Sequence, residues 1–152
     1  MAEDLAKWIR SNFECWEPLE GEPWLDKHDA HPRAPILVDL SAHPPLAEHW
    51  IAHCYLSRIG VAFLSKLDLP SLRTSLKRFG LVVAGEQRAA SIFRYFDAQV
   101  LDCFLNTASE IQRADFFQGL GGAIIPEQKL QGWTIYRFDG QTLNVCHDTG
   151  GP

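Results

Sequence analysis

The feature of the sequence that most constrains its fold is an alternation of two patterns. Stretches in which apolar residues have helical spacing alternate with short apolar runs. Apolar side chains at i, i+3 and i+4 predict amphipathic helices, whereas short apolar runs rich in β-branched residues predict buried strands. The clearest helix is predicted over residues 69–79, with Asp68 as N-cap, Pro70 in the first turn and Gly80 after the end. A chain made of such pieces must bury helices against a sheet of short strands.

The same rules divide the rest of the chain into helices, strands and turns. Further helices are predicted over residues 3–15, 45–57, 98–106 and 110–118. Strands are predicted over residues 35–40, 61–64, 81–84, 90–96, 133–138 and 142–146. The strands at 81–84 and 90–96 form one predicted hairpin, and Asp139-Gly140 lies at the turn of a C-terminal one. Residues 16–33 are predicted as a loop, with a short strand at its start as an alternative, and the glycine-rich residues 119–122 as a helix stop followed by a mobile turn.

These elements predict one domain over residues 1–152 of the α/β (α+β) class. We expect a mixed sheet of short strands, packed helices and a C-terminal hairpin. The chain has 152 residues, of which 46% are hydrophobic. A chain of this length buries enough surface to fold without disulfide bonds.

The sequence also predicts a cytoplasmic location. Its longest apolar runs are far shorter than the ~18 residues that a membrane-spanning helix needs. The N-terminus is acidic and lacks the apolar stretch of a signal peptide. In a reducing compartment Cys15, Cys54, Cys103 and Cys146 are expected to be free thiols, most of them buried.

The charge distribution argues against nucleic acid as a partner. The formal net charge is −5, whereas nucleic-acid-binding domains are basic. The charge is uneven, since a basic middle section lies between acidic ends. This pattern favours a polarised surface that meets a charged partner.

No motif for catalysis, a metal or a cofactor emerges. His49 and His53 have the i, i+4 spacing of two zinc ligands, but Trp50 stands where a zincin needs glutamate. His43 adds no third ligand with convincing spacing. The glycines at 119–122 follow a helix and lack the lysine of a phosphate-binding loop. We therefore predict no enzyme, no cofactor and no metal, and keep a small metal-dependent enzyme using His49 and His53 as an alternative.

Basic residues of the 69–79 helix are the first candidate partner-binding residues. Arg73, Lys77 and Arg78 are predicted opposite the leucine stripe. A solvated face with cations near a helix C-terminus is one interpretation. A docking surface for an acidic or helical partner is the other.

The second candidate is the segment that holds Arg94, Tyr95, Phe96 and Asp97. On a strand, Arg94 would lie between large apolar residues, where burying its charge is costly unless a carboxylate pairs with it. Asp97 is a candidate for that pairing, or the arginine reaches solvent past the rings.

Residues 94–101 (Arg-Tyr-Phe-Asp-Ala-Gln-Val-Leu) resemble the signature of the type VI secretion effector-chaperone (adaptor) family. Other segments resemble the same family in the same order along the chain, over roughly residues 13–127. They are residues 16–21, 35–40, 45–65 and 69–79. Ala98 and Gln99 replace the usual Pro-Arg, so no role of that arginine carries over. The chain also begins at the first helix and ends soon after the last hairpin, so the resemblance implies a compact or truncated member of the family.

The resemblance implies a cytoplasmic adaptor that binds a secreted toxin effector and helps load it onto the secretion spike. The partners expected are the effector and the spike protein, with no nucleic acid and no membrane. Trp24, Trp133 and Phe117 are candidate apolar anchors for such a partner, with core packing as the alternative. An immunity-type or regulatory toxin-binding protein is the second interpretation, since the acidic N-terminal third would suit a basic toxin.

Overall fold

A computed structural model describes residues 2–19, 34–57, 60–84, 89–127 and 132–148. Five helices lie within these residues: α1 (Ala2–Asn12), α2 (Pro44–Ser57), α3 (Leu69–Lys77), α4 (Ala98–Thr107) and α5 (Glu110–Phe116). They also contain the strands β1 (Trp16–Pro18), β2 (Ile36–Val38), β3 (Ala62–Ser65), β4 (Leu81–Ala84), β5 (Ala89–Ile92), β6 (Leu120–Glu127), β7 (Gly132–Phe138) and β8 (Leu143–Asp148). The predicted α+β class is confirmed.

The strands form one larger sheet and two hairpin-sized ones. The larger sheet has the order β3-β6-β7-β8, and β1-β2 and β4-β5 pair separately. Every pairing in the described ranges is antiparallel, whereas a mixed sheet was expected. Both predicted hairpins are confirmed, and the C-terminal one turns at Gly140, whose φ of 102° suits glycine.

The strand β6 corrects the sequence interpretation of the glycine-rich segment. Residues 119–122 were expected to form a mobile turn, but only Gly119, with φ of 86°, ends the helical region. Leu120 already begins β6, which lies in the middle of the sheet between β3 and β7. The glycines weaken the apolar alternation by which strands are recognised, which is why the sequence pattern missed the longest strand.

The hairpin strand predicted over residues 90–96 is also shorter than expected. β5 ends at Ile92, and residues 93–97 form a turn that leads into α4. Arg94 and Phe96 therefore do not lie on one face of a sheet, as residues two positions apart on a strand would. The aromatic content of the segment favoured a strand, but contacts with the core decided its conformation.

Helix starts agree well with prediction, because capping is a local interaction. Asp68 accepts from the Ser71 backbone N–H at 2.9 Å, and Asp97 accepts from those of Gln99 and Val100. Ser109 and Gln112 form the predicted capping box. Each cap satisfies donors that the first helical turn leaves without partners.

The main core lies between the helices and one face of the larger sheet, and Phe116 is at its centre. The Phe116 ring contacts the rings of Phe63, Phe79, Phe104 and Phe117 at centroid distances of 5.2 to 6.2 Å. The other buried members come from β1, α3, α4, β6 and β7 and the segments beside them, and are Leu19, Leu72, Leu76, Tyr95, Ala98, Leu101, Leu105, Leu120, Ala123, Ile125 and Tyr136. A second, smaller cluster of Ile9, Trp16 and Leu46 joins α1 and α2 to the β1-β2 pair.

The described cysteines differ from expectation in their burial. Cys15 is half-buried, and Cys103 and Cys146 are exposed free thiols. Most were expected to be buried, but Cys103 and Cys146 lie on outward-facing positions of α4 and β8. The Cys54 side chain lies outside the described part of the structure. Within the described residues, no helix is both long and apolar enough to cross a membrane.

Candidate partner-binding surface

The three basic residues of the α3 region do not share one surface. The Arg73 Nε donates to the Pro18 carbonyl oxygen at the end of β1. Arg78, just after α3, extends instead toward α5, and the Lys77 side chain is half-buried. The predicted basic face is therefore divided, since Arg73 joins α3 to β1 and Arg78 joins it to α5.

Arg78 makes an extensive set of contacts with the C-terminal end of α5. Its Nη1 donates to Gln118 Oε1 at 2.7 Å, and its Nη2 donates to the Asp115 carbonyl oxygen at 2.7 Å. The same Nη2 lies 3.6 Å from Asp115 Oδ1. The guanidinium group lies over the Phe79 ring, 4.5 Å from its centroid, and so packs against an aromatic face.

The turn at residues 93–97 places its four candidate residues in different environments. Arg94 is exposed over 61% of its side chain, and its Nη2 lies 3.5 Å from Asp97 Oδ2. The guanidinium group is 5.8 Å from the Phe96 ring centroid. Tyr95 is only 3% exposed and belongs to the core. The structure thus confirms the expected pairing of Arg94 with Asp97, and Tyr95 holds the turn in place from inside.

The structure brings these two candidate segments to the same end of the β4-β5 hairpin. The Phe93 backbone N–H donates to the Gly80 carbonyl oxygen at 3.2 Å. Arg78 lies two residues before this bond and Arg94 one residue after it. Phe79 and Phe93 both contact the Phe116 ring, at 5.2 and 6.3 Å between centroids. The shared aromatic core therefore fixes where both arginines emerge.

Two exposed isoleucines were missed by the sequence analysis, one two residues before Arg94 and the other four residues before Asp115. Ile111, in the first turn of α5, is 83% exposed, and Ile92, at the end of β5, is 67% exposed. They are the two most exposed large apolar residues in the described ranges. The spacing of Ile111 gave a signal, because it lies five residues before Phe116 and so off its face of the helix.

We call Arg78, Ile92, Arg94, Ile111 and Asp115 the Arg78–Arg94 surface. Ile111 and Asp115 are four residues apart on α5 and therefore share a helix face. Exposed apolar groups beside arginine–carboxylate pairs are a composition found at protein interfaces, where arginine is enriched. Each ion pair is accessible to solvent, so it contributes little to the stability of the monomer.

The histidines of the alternative enzyme interpretation lie among aromatic rings. His49 lies 4.7 Å from the Trp8 ring and His43 lies 5.1 Å from the Phe13 ring, both as centroid distances. The His53 side chain is outside the described residues. Within the part of the chain that is described, no three His, Cys, Asp or Glu side chains come together as a metal site would require.

The candidate anchors also have structural contacts. Phe117 is buried and stacks on Phe138 at 5.3 Å between ring centroids. Trp133 is half-buried and lies 5.6 Å from the Trp50 ring centroid. The interpretation of Phe117 as a core residue is thus confirmed, whereas Trp24 lies outside the described residues.

Sequence comparison identifies the family to which this α+β domain belongs. Residues 4–115 match the family described as Domain of unknown function (DUF4123). The match covers well over half of the chain, so the protein belongs to this family. Neither the curated proteins nor the solved structures contain a significant match.

Proposed function

We propose that this protein is a cytoplasmic adaptor that binds a type VI secretion effector and helps load it onto the secretion spike. The observation that carries this proposal is the family membership over residues 4–115, together with the chaperone-like signature at residues 94–101. The adaptor acts by binding, with no chemical step of its own.

The Arg78–Arg94 surface supports the proposal by offering both apolar and polar contacts. Covering Ile92 and Ile111 removes exposed apolar area from water, which favours association by about 25 cal/mol per Å². A carboxylate lies beside the guanidinium group of both Arg78 and Arg94 and orients it. Charged groups at such positions steer association and select partners. A partner that presents an apolar segment with acidic flanks would satisfy both kinds of contact.

Contacts within the 93–97 turn hold this part of the surface in shape. Asp97 caps α4 and pairs with Arg94, while Tyr95 fixes the same turn to Phe116 at 6.2 Å between ring centroids. The surface is therefore pre-organised, which lowers the entropy cost of binding.

The function is tested by purifying the tagged protein from its native host and identifying bound proteins by mass spectrometry. We expect a toxin effector at stoichiometric level, with the spike protein as a further component. Deleting the gene should abolish secretion of that toxin while cells stay protected against it. Loss of protection with normal secretion would contradict the adaptor function and indicate an immunity protein.

Substituting Ile111 tests whether the Arg78–Arg94 surface binds the effector. Ile111→Asp places a charge on the exposed apolar position, and we expect effector recovery to fall by about tenfold or more. The thermal midpoint should change little, because Ile111 lies in solvent and an acidic residue suits the first turn of a helix. Ile51→Asp is the matched control, since Ile51 is exposed on α2, outside this surface. Equal recovery with both variants would exclude this surface as the effector site.

A further inference from the structure

The two edges of the larger sheet are built differently. The edge strand β3 has four residues, and its register with β6 shifts between Leu64 and Ser65. Lys66 follows directly, and Asp68 comes two residues later. Short length, a register irregularity and nearby charges are ways in which proteins prevent an edge strand from pairing with another chain.

Among the described strands, β8 is the opposite edge, and its one formal charge is that of Asp148 at its C-terminal end. Its six residues keep an unbroken register with β7 and include no lysine, arginine or proline. Residues 144–148 are exposed on both faces of the strand, and Val145 is 48% exposed. The outer side of β8 therefore presents backbone donors and acceptors on a regular, accessible strand, which is a template for a further strand.

We propose that β8 pairs antiparallel with β8 of a second copy of this chain, about a two-fold axis at Cys146. The two four-stranded sheets then form one continuous eight-stranded sheet. A two-fold axis perpendicular to the sheet keeps equivalent faces on the same side, so the axis must pass through a residue position. This proposal does not depend on the proposed effector binding.

The charges at the strand ends favour the register centred on Cys146. In this register Asp148 of one copy lies opposite Asn144 of the other, and Asn144 pairs with Arg137 within its own sheet. Asn144 of the second copy therefore lies between Asp148 of the first copy and Arg137 of the second, and all three side chains are on the same face of the sheet. The Arg137 side chain is exposed and long enough to lie across that strand, and the contact occurs twice by symmetry.

The opposite face of the new pairing is also complementary. Val145 of one copy lies opposite His147 of the other, whose Nδ1 is 3.2 Å from Thr134 Oγ1. The imidazole ring would therefore cover part of the exposed valine. No two like charges face each other in this register.

A neighbouring register, centred on Val145, lacks the charge contact. There Asp148 lies opposite Thr142, and the residue of the second copy that lies one strand away from Arg137 is Cys146. The two Cys146 Cα atoms would be offset by two residues and about 8 Å apart, beyond disulfide reach. Centred on Cys146, the same atoms are about 4.5 to 5.5 Å apart, within reach.

Oxidative cross-linking of the purified full-length protein tests this arrangement. Diamide takes two electrons and two protons from a pair of thiols, so facing Cys146 residues become a disulfide. We expect a covalent dimer with the wild type and with the control variant Cys103→Ser, and none with Cys146→Ser. A dimer that persists in Cys146→Ser, or a wild type that yields none, would overturn the proposed register.

Sedimentation under reducing conditions tests the association without the cross-link. The contact is small, so we expect a dissociation constant on the order of 10 to 100 µM. Asp148→Lys should weaken the dimer about tenfold, and adding Arg137→Glu should restore it, because the double change re-creates the attraction with reversed signs. A protein that remains monomeric at millimolar concentration, or a dimer unaffected by Asp148→Lys, would contradict the proposal.

Discussion

Neighbouring residues of the 93–97 turn have different roles, although they lie close together in the sequence. Asp97 accepts two backbone N–H groups of α4 and also faces Arg94. An N-cap contributes about 1 kcal/mol, whereas a solvent-exposed ion pair contributes from about 0 to 1 kcal/mol. Asp97 is therefore expected to matter more for folding than Arg94, and Arg94 more for binding.

This difference predicts the stability of two single variants. Asp97→Ala should lower the free energy of unfolding by about 1 to 2 kcal/mol, because both the cap and the ion pair are lost. Arg94→Ala should lower it by about 0.5 kcal/mol or less, since its side chain is mostly in solvent. Urea unfolding followed by circular dichroism measures both. An equal loss for the two variants would show that the ion pair, not the cap, determines the stability of the turn.

Among the elements, β6 shows most clearly how a strand depends on its neighbours. It pairs with β3 on one side and β7 on the other, and its glycines let the backbones come close. A Cβ atom at Gly122 would collide with the Tyr136 carbonyl oxygen, whereas one at Gly121 would lie 3.7 Å from the Leu64 carbonyl oxygen. Packing therefore requires a glycine at position 122 but not at position 121.

Alanine substitutions at these glycines form a matched pair. Gly122→Ala should destabilise the protein by about 1 to 3 kcal/mol, because the β6 and β7 backbones must move apart. Gly121→Ala should change stability by about 0.5 kcal/mol or less, since its contact distance is ordinary. Thermal unfolding of both variants measures the difference. Similar midpoints would mean that β7 moves without cost and that the close approach is unimportant.

At the scale of the whole molecule, aspartates at turns and caps link stability to pH. Hydrogen bonds from Ser41 lower the pKa of Asp39, and those from Ser71 lower the pKa of Asp68. Backbone hydrogen bonds from Thr142 and Gln141 lower the pKa of Asp139. A carboxylate whose pKa is lowered in the folded state stabilises the fold at pH values above its ordinary pKa, which is 3.8 for these aspartates. This contribution is lost as pH falls through the folded-state value.

Acid should therefore remove a part of the stability that these three residues supply. The triple variant Asp39→Asn, Asp68→Asn and Asp139→Asn should unfold at a lower temperature than the wild type at pH 6. The difference between the two unfolding temperatures should narrow as the pH falls below about 4, because the wild-type carboxylates become protonated there. Thermal midpoints from pH 6 to pH 2.5 give the comparison. A gap that is constant over this range would show that the charge of these residues has no role.

The amino-acid sequence alone determined the features that depend on neighbours along the chain. The caps at Asp68, Asp97 and Ser109 were predicted correctly because each involves hydrogen bonds across only two or three residues. The Asp139-Gly140 turn and the amphipathic helices depend on similarly local rules. The pairing of Arg94 with Asp97 was predictable for the same reason.

Only the tertiary structure decided how distant segments meet. The position of β6 at the centre of the sheet depends on its pairing with β3 and β7, which no local pattern encodes. The division of the basic residues depends on what lies beside α3, with β1 near Arg73 and α5 near Arg78. Exposure of Ile92 and Ile111 likewise results from packing around Phe116, because burial is a property of the whole chain's arrangement rather than of hydrophobicity at one position.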